Sequence, residues 1–166
     1  MNYTIRVTGV VTVLGILLAA GCGAGSRSAA GPMNRIRFEH VALNVEDSIA
    51  TAQWYRDNLG LKIIREGEPP GSKRFVADPG GNMMFEFYHR RSAEVPDYAS
   101  MNNHQLHIAF MVDDVKAACD RLISAGARLD GEIVVTREGD EIAVVRDPWG
   151  IPIQFVKRAR PMLAYD

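Results

Sequence analysis

Apolar residues recur along the chain with two different periods, and the same order of periods occurs twice. Strands are predicted at residues 37–45 and 106–112, because large apolar side chains stand at every second position over 41–45 and over 106–112. A segment with helical spacing follows each strand and begins at a capping aspartate, Asp47 or Asp114. Three shorter strand-like runs follow each helix. The chain therefore predicts an α+β fold built from two β-α-β-β-β modules.

The boundaries of these elements follow from the turn residues between them. The helices are expected to end at Gly60 and Gly126, because glycine is favoured just after a helix. The inward face of each helix is predicted from its apolar spacing as Ile49, Ala52, Tyr55 and Leu59 in the first copy, and Val115, Ala118, Leu122 and Ala125 in the second. The remaining strands are predicted at 61–66, 74–77 and 83–88, and at 128–135, 141–145 and after Gly150.

The two modules also resemble each other residue by residue. Residues 38–47 correspond to 105–114, and residues 78–87 correspond to 147–155, at a nearly constant separation. Two copies are too few for a solenoid, so we expect a pseudo-symmetric pair that shares one core. The domain is predicted over residues 36–158, with module one at 36–89, a linker at 90–105, module two at 106–158 and a tail at 159–166.

Each module places a histidine on its first strand and a carboxylate or amide on its last. Period-two alternation puts these four side chains on the sheet face opposite to the helix, where they are predicted to converge in a space between the two sheets. Their types suit one divalent metal, with Zn, Ni, Co, Mn and Fe(II) all left open. The predicted ligands are His40, Glu86, His107 and Gln154. Met84, Tyr88 and Met111 share this face and line a pocket or pack in the core.

Composition narrows the class of partner. The chain has 166 residues, 47% hydrophobic residues and a formal net charge of -1, which is typical of a globular domain and gives no electrostatic reason to expect nucleic acid. Nucleic acid is therefore not an expected partner. The two modules either close on each other within one chain or pair across a homodimer, and the sequence leaves both arrangements open.

The N-terminus has the features of an export signal. Residues 1–21 contain a positive charge followed by an apolar run and small residues, and Cys22 then stands where a bacterial lipoprotein is lipidated. Residues 22–35 are predicted to be a flexible tether. We expect a lipid anchor at Cys22 on the periplasmic side of a bacterial membrane, with no other membrane contact, and Gly23 favours the outer membrane. The alternative is a cytoplasmic protein that starts at Met33.

Four segments resemble the vicinal oxygen chelate superfamily, which contains glyoxalases, bleomycin resistance proteins and extradiol dioxygenases. They are FEHVALNVEDS, DPGGNMMFEFY, LHIAFMVDDV and DPWGIPIQF. The resemblance implies paired β-α-β-β-β modules that form a half-barrel cleft around one divalent metal. Carried over by position, it implies the same four ligands, with Glu86 as the carboxylate that moves a proton.

The resemblance implies a metal-dependent lyase, isomerase or epimerase that acts on a small oxygen-chelating substrate through an enediolate-type intermediate. Glyoxalase I has Glu at both last-strand positions, and Gln154 departs from that pattern. The alternatives are an extradiol dioxygenase that uses Fe(II), and a non-enzymatic protein that binds a small molecule or drug.

Overall fold

The computed structural model describes residues 37–69 and 72–163. The predicted signal segment, Cys22 and the tether lie outside the described residues. No helix within the described ranges is long and apolar enough to cross a membrane. The elements in chain order are β1 (Val41–Asn44), α1 (Ser48–Leu59), β2 (Lys62–Glu66), β3 (Arg74–Ala77), β4 (Met84–Tyr88), β5 (Ile108–Met111), α2 (Val115–Ser124), β6 (Arg128–Leu129), β7 (Val134–Val135), β8 (Glu141–Arg146) and β9 (Pro152–Lys157).

The strands form two sheets of the same topology, which confirms the α+β fold. The first sheet has the order β1-β4-β3-β2, and the second has the order β5-β9-β8-β6 with β7 also paired to β8. In both sheets the first strand runs parallel to the last. The predicted strand at 128–135 is wrong in one respect, because it is split into β6 and β7. Gly131 lies between them with φ of 95°, a left-handed conformation that interrupts an extended strand.

Both helices begin at the aspartates that the sequence predicts. The Asp47 carboxylate accepts hydrogen bonds from the backbone N–H groups of Ile49 and Ala50, and Asp114 accepts one from Ala117. Gly60 ends α1 in the left-handed conformation, with φ of 71°. Local capping chemistry is therefore sufficient to locate these helices.

The buried face of α1 differs from the predicted apolar stripe. Ile49 is 38% exposed, whereas Ser48 and Thr51 are buried beside Ala52 and Tyr55. The two hydroxyls are satisfied by backbone carbonyls, because Ser48 donates to Ser72 and Thr51 donates to Asp47. A hydroxyl that has such a partner can be buried at little cost, and apolar spacing alone does not detect it.

The two modules pack together along their helix-bearing faces. The Trp54 indole N–H of α1 donates to the carbonyl of Ala125 at 2.8 Å, just after α2. The Phe85 ring of the first sheet lies 6.2 Å from the Phe110 ring of the second. An apolar cluster that draws on both modules fills this interior. Shared packing therefore uses the sheet faces opposite to those that carry the predicted ligands.

The linker between the modules is held by two buried polar side chains. The Asn44 amide donates to the carbonyls of Ala93 and Glu94. The Arg146 guanidinium donates to the carbonyls of Tyr98, at 2.7 Å, and Met101, at 2.9 Å. The linker carbonyls lose contact with water when they are buried, and these hydrogen bonds take the place of that water. They therefore hold the linker against both sheets.

Candidate metal centre

His40 and Glu86 form the first half of the candidate centre. The parallel pairing of β1 and β4 places Ala42 opposite Glu86, and His40 shares the Ala42 face because it lies two residues earlier. The Nε2 atom of His40 lies 3.3 Å from the Oε2 atom of Glu86. Two donors bound tetrahedrally to one metal are about 3.3–3.6 Å apart, given metal–ligand distances of about 2.0–2.2 Å. The pair therefore fits a shared divalent ion.

The Glu86 carboxylate is buried and paired with a lysine. Glu86 is 7% exposed. Lys73 Nζ lies 2.6 Å from Oε1, so an ion pair balances the charge of this carboxylate. A buried carboxylate requires such a positive partner, and a divalent cation is another partner of the same sign. The burial of this charged oxygen donor is the second observation that fits a metal ligand.

The two predicted histidines present the same ring nitrogen. His107 Nδ1 lies 2.8 Å from the carbonyl oxygen of Asn103, which can only accept, so Nδ1 carries the proton. His40 Nδ1 contacts the Glu39 carboxylate, which also accepts. In a neutral ring this leaves Nε2 with its lone pair. Oxygen acceptors that orient a histidine through its other nitrogen are typical of metal ligands.

His107 and Gln154 lie on one face of the second sheet and are the candidate second half of the centre. The parallel pairing of β5 and β9 places Ala109 opposite Gln154, and His107 lies two residues before Ala109. This relation repeats that of His40 and Glu86 in the first module. The face is open, since His107 and Ala109 are exposed and Met111 is 55% exposed. The second half-site is therefore accessible from outside the chain.

The two half-sites do not meet within one chain. Over residues 37–69 and 72–163, no group of three or more His, Cys, Asp or Glu side chains is arranged to hold a metal, so His107 does not join His40 and Glu86. The physical reason is the packing of the modules along their helix-bearing faces, which turns the ligand-bearing faces away from the shared core. The convergence of all four ligands in one site therefore stays a prediction, and the sequence leaves open that it occurs across a homodimer rather than within one chain.

The predicted pocket residues take different positions. Met111 lines a mainly apolar cavity of about 440 Å³ together with Met83 and Phe110. Met84 and Tyr88 are half-buried on β4, at the positions that flank Glu86 on its own face. Strand alternation therefore predicts the face on which Met84 and Tyr88 lie. The cavity beside Met111 also depends on the turn before β4, which alternation does not describe.

Sequence reasoning missed Lys73, whose ammonium is the charged group nearest to Glu86. Lys73 immediately precedes β3 and shares a face with Phe75, which pairs with Glu86 on β4. Alternation extended one residue beyond the predicted strand start would have placed it there. The His40 ring packs edge-on against the same Phe75 ring, with the ring centres 5.8 Å apart.

Comparison with known proteins agrees with this architecture. Residues 37–155 match the family model of the Glyoxalase/Bleomycin resistance protein/Dioxygenase superfamily. The chain belongs to this superfamily. Its members generally use a divalent metal.

Its relatives support a glyoxalase-like function. The chain is 30% identical to the lactoylglutathione lyase of Salmonella typhimurium over 128 residues, which cover 74% of this chain and 93% of that protein. It is also 30% identical to the lactoylglutathione lyase of Haemophilus influenzae over 122 residues, covering 71% and 90%. A glyoxalase family protein from Bacillus cereus has the same fold, with a TM-score of 0.60, 22% identity, and coverage of 74% and 93%.

Proposed function

We propose that the chain is a divalent-metal-dependent lyase or isomerase that acts on a small substrate with two neighbouring oxygen atoms. The observation that carries this proposal is the paired arrangement of His40 Nε2 and the buried Glu86 carboxylate, whose nearest atoms lie 3.3 Å apart. The lactoylglutathione lyases among its relatives support the reaction class.

Each candidate residue has a defined role in this proposal. His40, Glu86, His107 and Gln154 hold the metal, which when bound supplies Lewis-acid polarisation of a substrate oxygen. Glu86 is the single carboxylate among them, so it takes the proton from the carbon beside that oxygen and returns it to the neighbouring carbon. Burial of Glu86 on the β4 face excludes water from the carboxylate that moves the proton.

We further propose that a second copy of the chain completes the site. Within the described part of the chain, β1 pairs on one side with β4 and β5 pairs on one side with β9, so each has an unpaired edge beside its histidine. A twofold pair of chains could place the His40–Glu86 half of one copy against the His107–Gln154 half of the other. A symmetric dimer would then hold two equivalent sites.

Mixing two inactive variants tests this arrangement. His40→Ala and His107→Ala are each expected to lose bound metal and activity. If the site spans two copies, unfolding and refolding them together restores one intact site in each mixed dimer, giving about a quarter of wild-type activity. No recovery on mixing, together with a monomeric mass by light scattering, would show that the site is not shared between copies.

The reaction itself is tested with the hemithioacetal of methylglyoxal and glutathione. The metal-loaded full-length chain is expected to convert it, and Glu86→Gln is expected to lower kcat by at least about 100-fold. Glu138→Gln makes the same chemical change at an exposed residue in the turn before β8, so it is the matched control and should leave kcat unchanged. A metal-loaded protein with no turnover would exclude this substrate, and a chain that binds no metal would favour a small-molecule-binding protein.

We also propose that the protein is exported and lipid-anchored at Cys22, on the strength of its N-terminal sequence. Cys22→Ala is expected to prevent acylation and to move the protein from the membrane fraction to the soluble fraction. Unchanged fractionation and no incorporated fatty acid in the wild type would support translation from Met33 instead.

A further inference from the structure

We propose that Lys73 is an internal counter-ion of Glu86 that competes with the divalent metal and lowers the affinity of the site. The inference rests on the proposed metal-binding function, because it concerns the same carboxylate. Lys73 Nζ lies 2.6 Å from Glu86 Oε1, while His40 Nε2 lies 3.3 Å from the other oxygen of the same carboxylate.

The contact between Lys73 and Glu86 joins two opposite charges. The ammonium nitrogen lies 2.6 Å from Oε1, so it occupies one of the two oxygens that a metal ion would use. A positive charge at this distance repels a second cation that approaches the same carboxylate. Lys73 therefore competes with a metal ion through its charge and its position.

The charge balance of the site makes this repulsion important. Two neutral imidazoles, one amide and one carboxylate give the four proposed ligands a formal charge of one negative unit. The ammonium of Lys73 cancels this charge, so the long-range electrostatic attraction of the site for a divalent ion is weakened. Because Gln154 is neutral, Glu86 is the sole charged ligand, and Lys73 is paired with that residue.

Unequal burial indicates which partner moves when the metal binds. The Glu86 side chain is 10% exposed and held within the sheet, whereas the Lys73 side chain is 51% exposed. A lysine has a flexible stem, so the ammonium can swing into solvent while the carboxylate stays in place. Metal binding therefore costs the loss of one partly screened ion pair, and the effect on affinity is moderate.

Other cations on this sheet provide a matched control. Lys62 on β2 lies opposite Ala77 of β3, and its ammonium contacts the carbonyl of Pro79 at 3.5 Å. Arg65 places its guanidinium 5.8 Å from the centre of the Phe75 ring. Neither forms an ion pair with Glu86 among the described residues. Removal of Lys62 therefore changes the net charge by the same amount without breaking the pair.

The experiment measures the Kd of the full-length chain for Zn²⁺ and Co²⁺ by competition with a chromophoric chelator, with the Co²⁺ absorption spectrum as a second readout. Lys73→Met is expected to tighten binding about tenfold, since one unit of nearby positive charge is removed. Lys73→Arg should match the wild type, and Lys62→Met should change Kd by less than about threefold. Lys73→Gln replaces the Met variant if that variant aggregates.

An unchanged or weaker Kd in both neutral Lys73 variants would overturn the inference, and so would an equal tightening by Lys62→Met. These outcomes leave the proposed function intact, because a wild-type chain that binds metal and turns over substrate does not depend on them. Conversely, a metal-loaded chain without lyase or isomerase activity would refute the proposed function alone, while the comparison of Kd values would still decide the role of Lys73.

Discussion

The carboxyl group of Asp147 makes the stability of this protein depend on pH. Its Oδ1 atom accepts hydrogen bonds from the backbone N–H groups of Trp149, at 2.9 Å, and Ile151, at 2.8 Å, and its Oδ2 atom accepts one from the Tyr55 hydroxyl at 3.1 Å. Burial raises the pKa of Asp147 from 3.8 to about 6, although these hydrogen bonds partly oppose that shift. The native carboxyl therefore keeps its proton at a pH where the unfolded chain has lost it.

The sign of the effect follows from this raised pKa. Below pH 3.8 the group is protonated in both the native and the unfolded state, so its contribution to stability is fully present. As the pH rises through the native pKa of about 6, that contribution is lost. The whole shift corresponds to about 3 kcal/mol of unfolding free energy, at about 1.4 kcal/mol for each pKa unit, and about 2.4 kcal/mol of it falls between pH 4 and pH 7.

Asp147→Asn tests this reasoning because it removes the titration and keeps an oxygen that accepts the two backbone bonds. Urea unfolding of both proteins at pH 4, 5, 6 and 7 is followed by tryptophan fluorescence, since Trp54 and Trp149 lie 6.3 Å apart beside this turn. The unfolding free energy of the wild type relative to the variant should fall by about 2.4 kcal/mol from pH 4 to pH 7. A difference that stays constant across this range would refute the argument.

Three further predictions test the site and the packing. Gln154→Glu adds a second carboxylate to the proposed ligands and should tighten metal binding at least about tenfold; unchanged affinity would exclude Gln154 as a ligand. Arg146→Met should lower the free energy of unfolding in urea by about 3 kcal/mol or more, because it leaves buried linker carbonyls without hydrogen bonds. A loss below about 1 kcal/mol would contradict the role of Arg146 in holding the linker. Gly150→Ala should lower the free energy of unfolding several times more than Gly60→Ala in the same assay. A Cβ atom at Gly150 would lie 2.6 Å from the Ala99 backbone, whereas one at Gly60 would meet nothing within 4 Å. Equal losses of stability would contradict this overlap.

Several local features of the fold could be predicted from the sequence with no structure. The capping aspartates Asp47 and Asp114 locate both helices, and Gly60 ends the first one. Alternation along β4 separates buried Phe85 and Phe87 from the face that carries Glu86. These features depend on residues that are neighbours in sequence, so backbone geometry alone relates them.

Other features depend on contacts between distant residues. The burial of Ser48 depends on the carbonyl of Ser72, and the ion pair of Lys73 with Glu86 depends on the pairing of β3 with β4. Apolar spacing predicted that Ile49 is buried, but it could not include these partners.

The order of residues along the chain was enough to define the two modules, their helix caps and the sheet face on which His40, Glu86, His107 and Gln154 lie. How the modules face each other, and therefore that the two half-sites lie apart in one chain, emerged only from the packing of the folded molecule. The physical reason is that strand alternation fixes a side chain relative to its own sheet, whereas the choice of which sheet faces pack together depends on the total apolar area that the whole chain can bury.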